Sequence, residues 1–175
     1  MPDGAELAMA RRHLQIAAEL SPRNVRYRSA YGEALLAAGD LAGALAEFTA
    51  AADLEPGARN EALQAFVALK LGRTSTAFAL VDRALRAHGA FALGHYVRGL
   101  CRVVEGDPVG AAADFAAAAD VAWNGAFFLE ERARLADPAA GPLGLAPELP
   151  AEVLKRFLRG AATLKRAETA SAERA

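Results

Sequence analysis

Cysteine is almost absent from this sequence, which contains one, Cys101. An internal disulfide is therefore impossible, and we expect a cytoplasmic protein. Aromatic residues make up only 7% of the chain, so a core built from β-strands is not expected. No run of about 18 uncharged apolar residues occurs, which argues against a transmembrane helix. Charged residues near the N-terminus also interrupt any apolar core of a signal peptide.

Charge of one sign and the usual catalytic motifs are also missing. Twenty basic residues stand against 21 acidic ones, a net charge of −1, whereas nucleic-acid binders usually carry a strong positive field. The three histidines (His13, His88 and His95) share no metal-ligand spacing. No phosphate-binding loop, catalytic triad or metalloprotease motif is present. We therefore expect neither an enzyme nor a cofactor, a metal site or a nucleic-acid partner.

Alanine and leucine are abundant instead, with 46 and 23 copies among 175 residues. Both are strong helix formers. Hydrophobic residues amount to 54% of the chain, which is far too many for a disordered protein. The composition therefore predicts an all-α fold.

A short pattern repeats along the chain at a nearly constant interval. It consists of an alanine, a large apolar residue four positions later and an alanine three positions after that. Its copies begin at Ala10, Ala44, Ala77 and Ala111, so the steps are 34, 33 and 34 residues. Five residues before the first alanine of each of the last three copies stands a glycine: Gly39, Gly72 and Gly106. Twelve residues before the same alanines stands a small residue: Gly32, Ala65 and Gly99.

This repeat resembles the tetratricopeptide repeat, whose unit is a pair of antiparallel helices about 34 residues long. The resemblance implies an all-α, right-handed superhelix of such pairs. Gly39, Gly72 and Gly106 are expected to end first helices, because glycine accepts the left-handed conformation favoured after a helix C-terminus. Asp40 and Asp107 are expected to cap the second helices that follow.

The pattern predicts nine helices, at 4–20, 23–38, 41–54, 58–71, 75–88, 91–105, 108–121, 125–136 and 151–167. Residues 1–136 would form the repeat array, with full repeats at 25–57, 58–91 and 92–125 and single helices at either side. Residues 137–150 are rich in proline and glycine and predict a loop. Residues 151–167 would be an amphipathic capping helix, and 168–175 a frayed tail.

In the family, the first helix of each pair lines a concave groove that binds peptides. The resemblance therefore implies a non-catalytic adaptor or scaffold that binds a peptide or helix of a partner protein. A chaperone or regulatory subunit of a secretion or membrane-associated assembly is the alternative, and a homodimer is possible. The groove residues implied are Arg26, Ser29, Glu33, Leu36, Arg59, Phe66, Leu69, Lys70, Leu93, Tyr96, Leu100 and Val103.

Three of these positions also fit a different interpretation. Leu93, Tyr96 and Leu100 lie at helical spacing together with other apolar residues, Val97, Cys101 and Val104, and could form a buried stripe. Arg98 and Arg102 are one turn apart and would either grip an anion or pair with internal acids, for which Asp114, Glu130 and Glu131 are candidates. Asp114 and Asp120 themselves are otherwise expected to be exposed helix charges.

The predicted last helix has an apolar face that contains Val153, Leu154, Phe157 and Leu158, and a basic face that contains Lys155, Arg156 and Arg159. A terminal helix of a repeat protein usually covers the last apolar surface. Two alternatives remain open at this point. The helix could lie on an anionic membrane or a partner, or it could fold back into the groove as an autoinhibitor.

Overall fold

The computed structural model describes residues 4–137, 139–149 and 151–159. These residues form helices connected by short turns and no strand is found among them. The helices are α1 (Gly4–Leu20), α2 (Val25–Ala37), α3 (Leu41–Leu54), α4 (Ala58–Lys70), α5 (Thr74–His88), α6 (Ala92–Val104), α7 (Pro108–Val121) and α8 (Ala126–Arg134), followed by a 3₁₀ turn (Leu143–Leu145) and α9 (residues 151–159). Residues 160–175, which include the predicted end of the last helix and the frayed tail, lie outside the described part.

The turns inside the helix pairs form at the glycines that the repeat predicts. Gly39, Gly72 and Gly106 all have φ between 77° and 80°, a conformation that costs a residue with a side chain about 1 to 2 kcal/mol. The residue after the first and the last of them caps the next helix. Asp40 accepts a hydrogen bond from the Gly43 N–H at 2.9 Å, and Asp107 makes the same contact with Gly110 at 2.8 Å. The predicted helix ends and caps are therefore confirmed.

Small and large residues are matched across each helix pair. Gly32 on α2 lies against the ring of Phe48 on α3, and Gly99 on α6 lies against Phe115 on α7. In the middle pair, Ala65 on α4 takes the place of the glycine and Val81 on α5 takes the place of the phenylalanine, and both are fully buried. The volume of the two positions together is thus roughly kept while its division between the helices changes.

The helices form a linear stack. Each helix from α1 to α8 contacts the next one along the chain, and α4 also contacts α6. We call the surface made by the first helices of the pairs, α2, α4, α6 and α8, the inner face. None of the helices in the described ranges is long and apolar enough to cross a membrane.

Ion pairs on the flank of the last full pair correct one sequence-based expectation. Asp114 on α7 is only 2% exposed, whereas an exposed charge was expected; Asp120 is exposed as predicted. Arg98 and Arg102 on α6 reach the Asp114 carboxylate at 2.7 Å and 2.8 Å, and His95 Nδ1 lies 3.3 Å from it. The two arginines therefore pair with an internal acid, which was one of the two interpretations.

These contacts also determine the charge of Asp114. Burial by itself would raise the pKa of Asp114, but the hydrogen bonds from His95 and Arg98 and the charges of Arg98 and Arg102 outweigh burial and lower the pKa. The hydrogen bond with Asp114, opposed by partial burial, likewise raises the pKa of Arg98. The Asp114 carboxylate is therefore charged at neutral pH and stabilises the α6–α7 pair.

Candidate functional site

The predicted groove residues lie in two environments. At the α2 end, Arg26 is exposed and Ser29 and Glu33 are half-buried. On α4 and α6 five apolar members are buried, namely Phe66, Leu69, Leu93, Tyr96 and Leu100, and Val103 is half-buried. Leu36, near the end of α2, is also buried. Val104 is 51% exposed, so it does not belong to the buried stripe that the spacing suggested. The inner face is therefore polar and accessible at one end, and apolar and covered over most of its length.

The cover is the end of the chain itself. Residues 142–149 and 151–159, which we call the C-terminal segment, lie against α4, α6 and α8. Phe157 on α9 is fully buried. Its ring centroid lies 5.2 Å from that of Phe66 on α4, 5.8 Å from Tyr96 on α6 and 6.5 Å from Phe127 on α8. One aromatic side chain thus contacts three successive first helices.

A buried carboxylate holds the start of the C-terminal segment. Glu131 on α8 has no exposed surface and accepts the backbone N–H groups of Leu143 at 3.0 Å and Gly144 at 3.3 Å. The Tyr96 hydroxyl also donates to Glu131, at 2.8 Å. Burial, with the charge of Glu131, raises the pKa of Tyr96 well above its ordinary value, so the hydroxyl remains protonated and donates to the carboxylate. Arg134 lies 3.7 Å from the same carboxylate.

Two cations of α4 bind backbone carbonyls of the C-terminal segment. Arg59 donates to the Leu158 carbonyl at 3.3 Å while its other N–H groups hold Glu33 of α2 at 2.7 Å and 3.1 Å. Lys70 donates to the Ala146 carbonyl, and partial burial lowers the pKa of Lys70. Both residues were predicted to bind a peptide, and both contact backbone groups that any peptide possesses.

The exposed edge of α9 is fixed by charge. Arg156 donates to both carboxylate oxygens of Glu130 on α8 at 2.9 Å and 3.0 Å. Its guanidinium also lies 5.2 Å from the centre of the Phe127 ring, within the range of a cation–π contact. Among the described residues, Lys155 forms its ion pair along its own helix, with Glu152 at 3.1 Å.

The position of α9 differs from the expected end cap. The helix crosses the inner face from α8 to α4 instead of covering only the last pair, because its aromatic anchor fits between rings of three helices. The contacts show where the helix lies, and the autoinhibitory role that the sequence analysis attached to a fold-back stays a prediction. The apolar face of α9, with Val153, Leu154 and Phe157, is buried. It would have to leave the array before it could contact a membrane.

Several residues of this site had no role in the sequence-based prediction of the groove. Phe127 and Phe128 form an aromatic cluster with Tyr96, at centroid distances of 5.4 Å and 5.5 Å. Gly144 packs so closely that a Cβ there would lie 2.3 Å from the Tyr96 hydroxyl. The adjacent phenylalanines in an aromatic-poor chain were the available signal, because such pairs mark buried contact surfaces.

Two open depressions border α5. One of about 540 Å³ follows α5 and is lined by Ser75, Thr76, Ala79, Leu80, Arg83 and Arg86. A neighbouring one of about 500 Å³ lies between α3, α4 and α5 and includes Glu61 and Gln64. Within the described ranges, no cluster of three metal-ligating side chains is found. The α5 surface therefore provides a second place where a partner could be tested.

Comparison with known proteins identifies the fold and not the ligand. No protein-family model matches the chain, and no curated protein sequence matches it. Among solved structures, one described as "MamA RS-1 ArsTM double mutant" matches with a TM-score of 0.59 and 17% sequence identity, over 94% of this chain and 88% of that chain. The chain therefore has the fold of a right-handed, tetratricopeptide-like α-solenoid. At this identity the likeness concerns architecture alone.

Proposed function

We propose that this chain is a non-catalytic adaptor or scaffold that binds a peptide or helix of a partner protein on its inner face. The observation that carries this proposal is the helix already seated there. A face that holds α9 through an aromatic pocket, an acidic edge and side chains directed at backbone groups has the features by which grooves bind helices. A cytoplasmic location and the absence of catalysis are part of the same proposal.

The accessible end of the inner face gives the partner a place to start. Arg26 near the start of α2 is exposed, and Glu33, further along the same helix, forms an ion pair with Arg59 of α4 at 2.7 Å. A partner that approaches this end meets fixed charges on rigid helices, so little conformational entropy is lost in ordering the site. The aromatic contacts with α9 begin one helix further along, at Phe66.

The experiment is site-specific crosslinking in an extract of the native cell. A photoreactive phenylalanine analogue is placed at Arg26 on the inner face or, as the matched control, at Arg83 beside the α5 depression. The proposal expects one protein to crosslink from position 26 and not from position 83. A partner captured only from position 83 would place binding at the α5 depression and refute the inner face.

The same crosslinked extracts also test the two alternatives that the sequence left open. For a homodimer, the crosslinked product would be a second copy of this chain. For a role in a membrane-associated assembly, capture from position 26 would depend on the membrane fraction. The burial of the α9 apolar face gives the second alternative no support from the described residues.

A further inference from the structure

We propose that the part of the inner face beneath the C-terminal segment is a docking surface for a partner segment of the same chemistry, and that partner and C-terminal segment exchange there. The partner segment carries an aromatic residue directly preceded by a basic one, as Arg156 and Phe157 are arranged here. This inference rests on the proposed function and adds to it the nature of the ligand and the way in which access is controlled.

The first argument concerns which groups recognise the C-terminal segment. Four hydrogen bonds join side chains of the array to backbone groups of the C-terminal segment. Arg59 and Lys70 each donate to a carbonyl of the segment, and Glu131 accepts from two of its N–H groups. Such bonds do not depend on the sequence of the bound segment. Any segment with a similar backbone path could accept or donate them.

The second argument concerns the side chains that do discriminate. Phe157 enters the space between Phe66, Tyr96 and Phe127, and a shorter side chain would leave that space unfilled. Arg156 contacts both Glu130 and the Phe127 ring. A buried aromatic anchor with a charged neighbour at the edge is the usual arrangement of an interface hot spot. These two adjacent positions therefore define the ligand class.

The third argument is that the closest contacts inside the helix pairs are made without the C-terminal segment, although Phe157 belongs to the same hydrophobic cluster. The small–large contacts within the helix pairs, such as Gly32 with Phe48 and Gly99 with Phe115, do not involve the C-terminal segment. Residues 135–141 connect α8 to the segment and include Gly141 at φ 57°. Departure of the segment would therefore uncover the inner face without breaking the contacts inside each pair.

The tether sets the strength of the competition. The segment is joined to α8 by a short connection, and a ligand held on a short linker competes at an effective concentration of about 1 mM. Suppose that the same segment, as a separate peptide, binds the open face with a Kd of about 0.1 mM. Chains with their own segment bound would then outnumber chains with the segment released by roughly ten to one. A ligand in trans then binds the wild-type chain about tenfold more weakly than a chain whose own segment has been released.

The test uses a fluorescent peptide of residues 142–159 titrated into the full chain, with binding followed by anisotropy. Phe157→Ala in the chain is expected to release the segment and tighten peptide binding about tenfold. Lys155→Ala is the matched control, because the ion pair of Lys155 among the described residues runs to Glu152 of its own helix, and this chain is expected to bind as wild type does. A peptide that itself carries Phe157→Ala is expected to lose binding.

A charge exchange locates the peptide on the proposed face. Glu130→Arg in the released chain is expected to reject the native peptide and to accept a peptide with Arg156→Glu. If that pair of changes has no effect on peptide affinity, the peptide binds elsewhere and the docking surface is wrong.

Two further results would overturn the proposal. The first is a Phe157→Ala chain that remains helical by circular dichroism yet binds the peptide no better than wild type. The second is a Phe157→Ala chain that unfolds, which would make the C-terminal segment an integral part of the core. Either result leaves the crosslink from Arg26 possible, because Arg26 lies outside the covered region. Failure of exchange is thus distinguishable from failure of the proposed function.

Discussion

Replacing Gly99 by alanine is expected to destabilise this protein although alanine is the better helix former. Helix propensity alone would stabilise α6 by about 1 kcal/mol. A Cβ at Gly99, however, would lie 2.6 Å and 2.7 Å from two carbon atoms of the Phe115 ring and 3.2 Å from the Asp114 Cβ. Overpacking of this kind costs about 1 to 3 kcal/mol, so we expect a net loss of roughly 1 kcal/mol.

The middle repeat shows how the loss can be recovered. Ala65 and Val81 occupy the positions that Gly99 and Phe115 occupy in the last repeat, and both are fully buried. Phe115→Val alone should cost about 2 to 3 kcal/mol, because it leaves a cavity beside the glycine. In the double variant the added methyl group partly fills that cavity. The two changes should therefore couple favourably, by about 1 to 2 kcal/mol.

The assay is urea unfolding followed by far-ultraviolet circular dichroism, with the slope of the transition compared among the four chains. Equal slopes would show that the compactness of the states is unchanged, so that midpoints report stability. The same pair of changes at Gly32 and Phe48 provides an internal replicate. If the double variant loses the sum of the two single losses, the two positions do not share volume and the reasoning is refuted.

Three further outcomes follow from contacts described above. Asp114→Ala should cost about 2 to 4 kcal/mol at neutral pH, because it removes the buried carboxylate that joins Arg98 and Arg102. Because the folded-state pKa of Asp114 is lowered, wild type should lose this contribution only as the pH falls below about 4. Urea midpoints at several pH values would contradict us if both chains lost stability equally. Burial raises the pKa of Cys101 to about 12, so a thiol reagent at neutral pH should react only after urea is added, and rapid labelling of the native chain would disprove the burial. Gly106→Ala should cost about 1 kcal/mol because φ is 80° there, and an unchanged thermal midpoint would show that the turn adjusts freely.

Local signals in the sequence were enough to predict the helices. Gly39, Gly72 and Gly106 predicted the turns at which φ becomes positive, and Asp40 and Asp107 predicted the following caps. These signals act within one turn of helix, so they need no knowledge of the tertiary structure. The period of the repeat then determined which helices pair.

The cover of the inner face could not be predicted in the same way. The spacing of Leu93, Tyr96 and Leu100 shows that one face of α6 is apolar, but it gives no information on what lies against that face. The answer depends on Glu131 and Phe157, which are far from α6 in sequence and become neighbours only through the fold. Asp114 was correctly named as a possible partner of Arg98 and Arg102, but its burial was not expected, because burial depends on how α6 packs against α7.

The C-terminal segment also changes how this stack responds to force and heat. In an ordinary solenoid each repeat touches only its neighbours, so the array bends like a spring and its repeats melt in succession. The hydrogen bonds from Lys70 to Ala146 and from Arg59 to Leu158 span 76 and 99 residues, so they connect repeats that are not neighbours in the stack. With them in place, α4 to α8 should twist and unfold as one body, while α1 to α3 keep the compliance of a free end. Release of α9 would then make the whole superhelix elastic along its length.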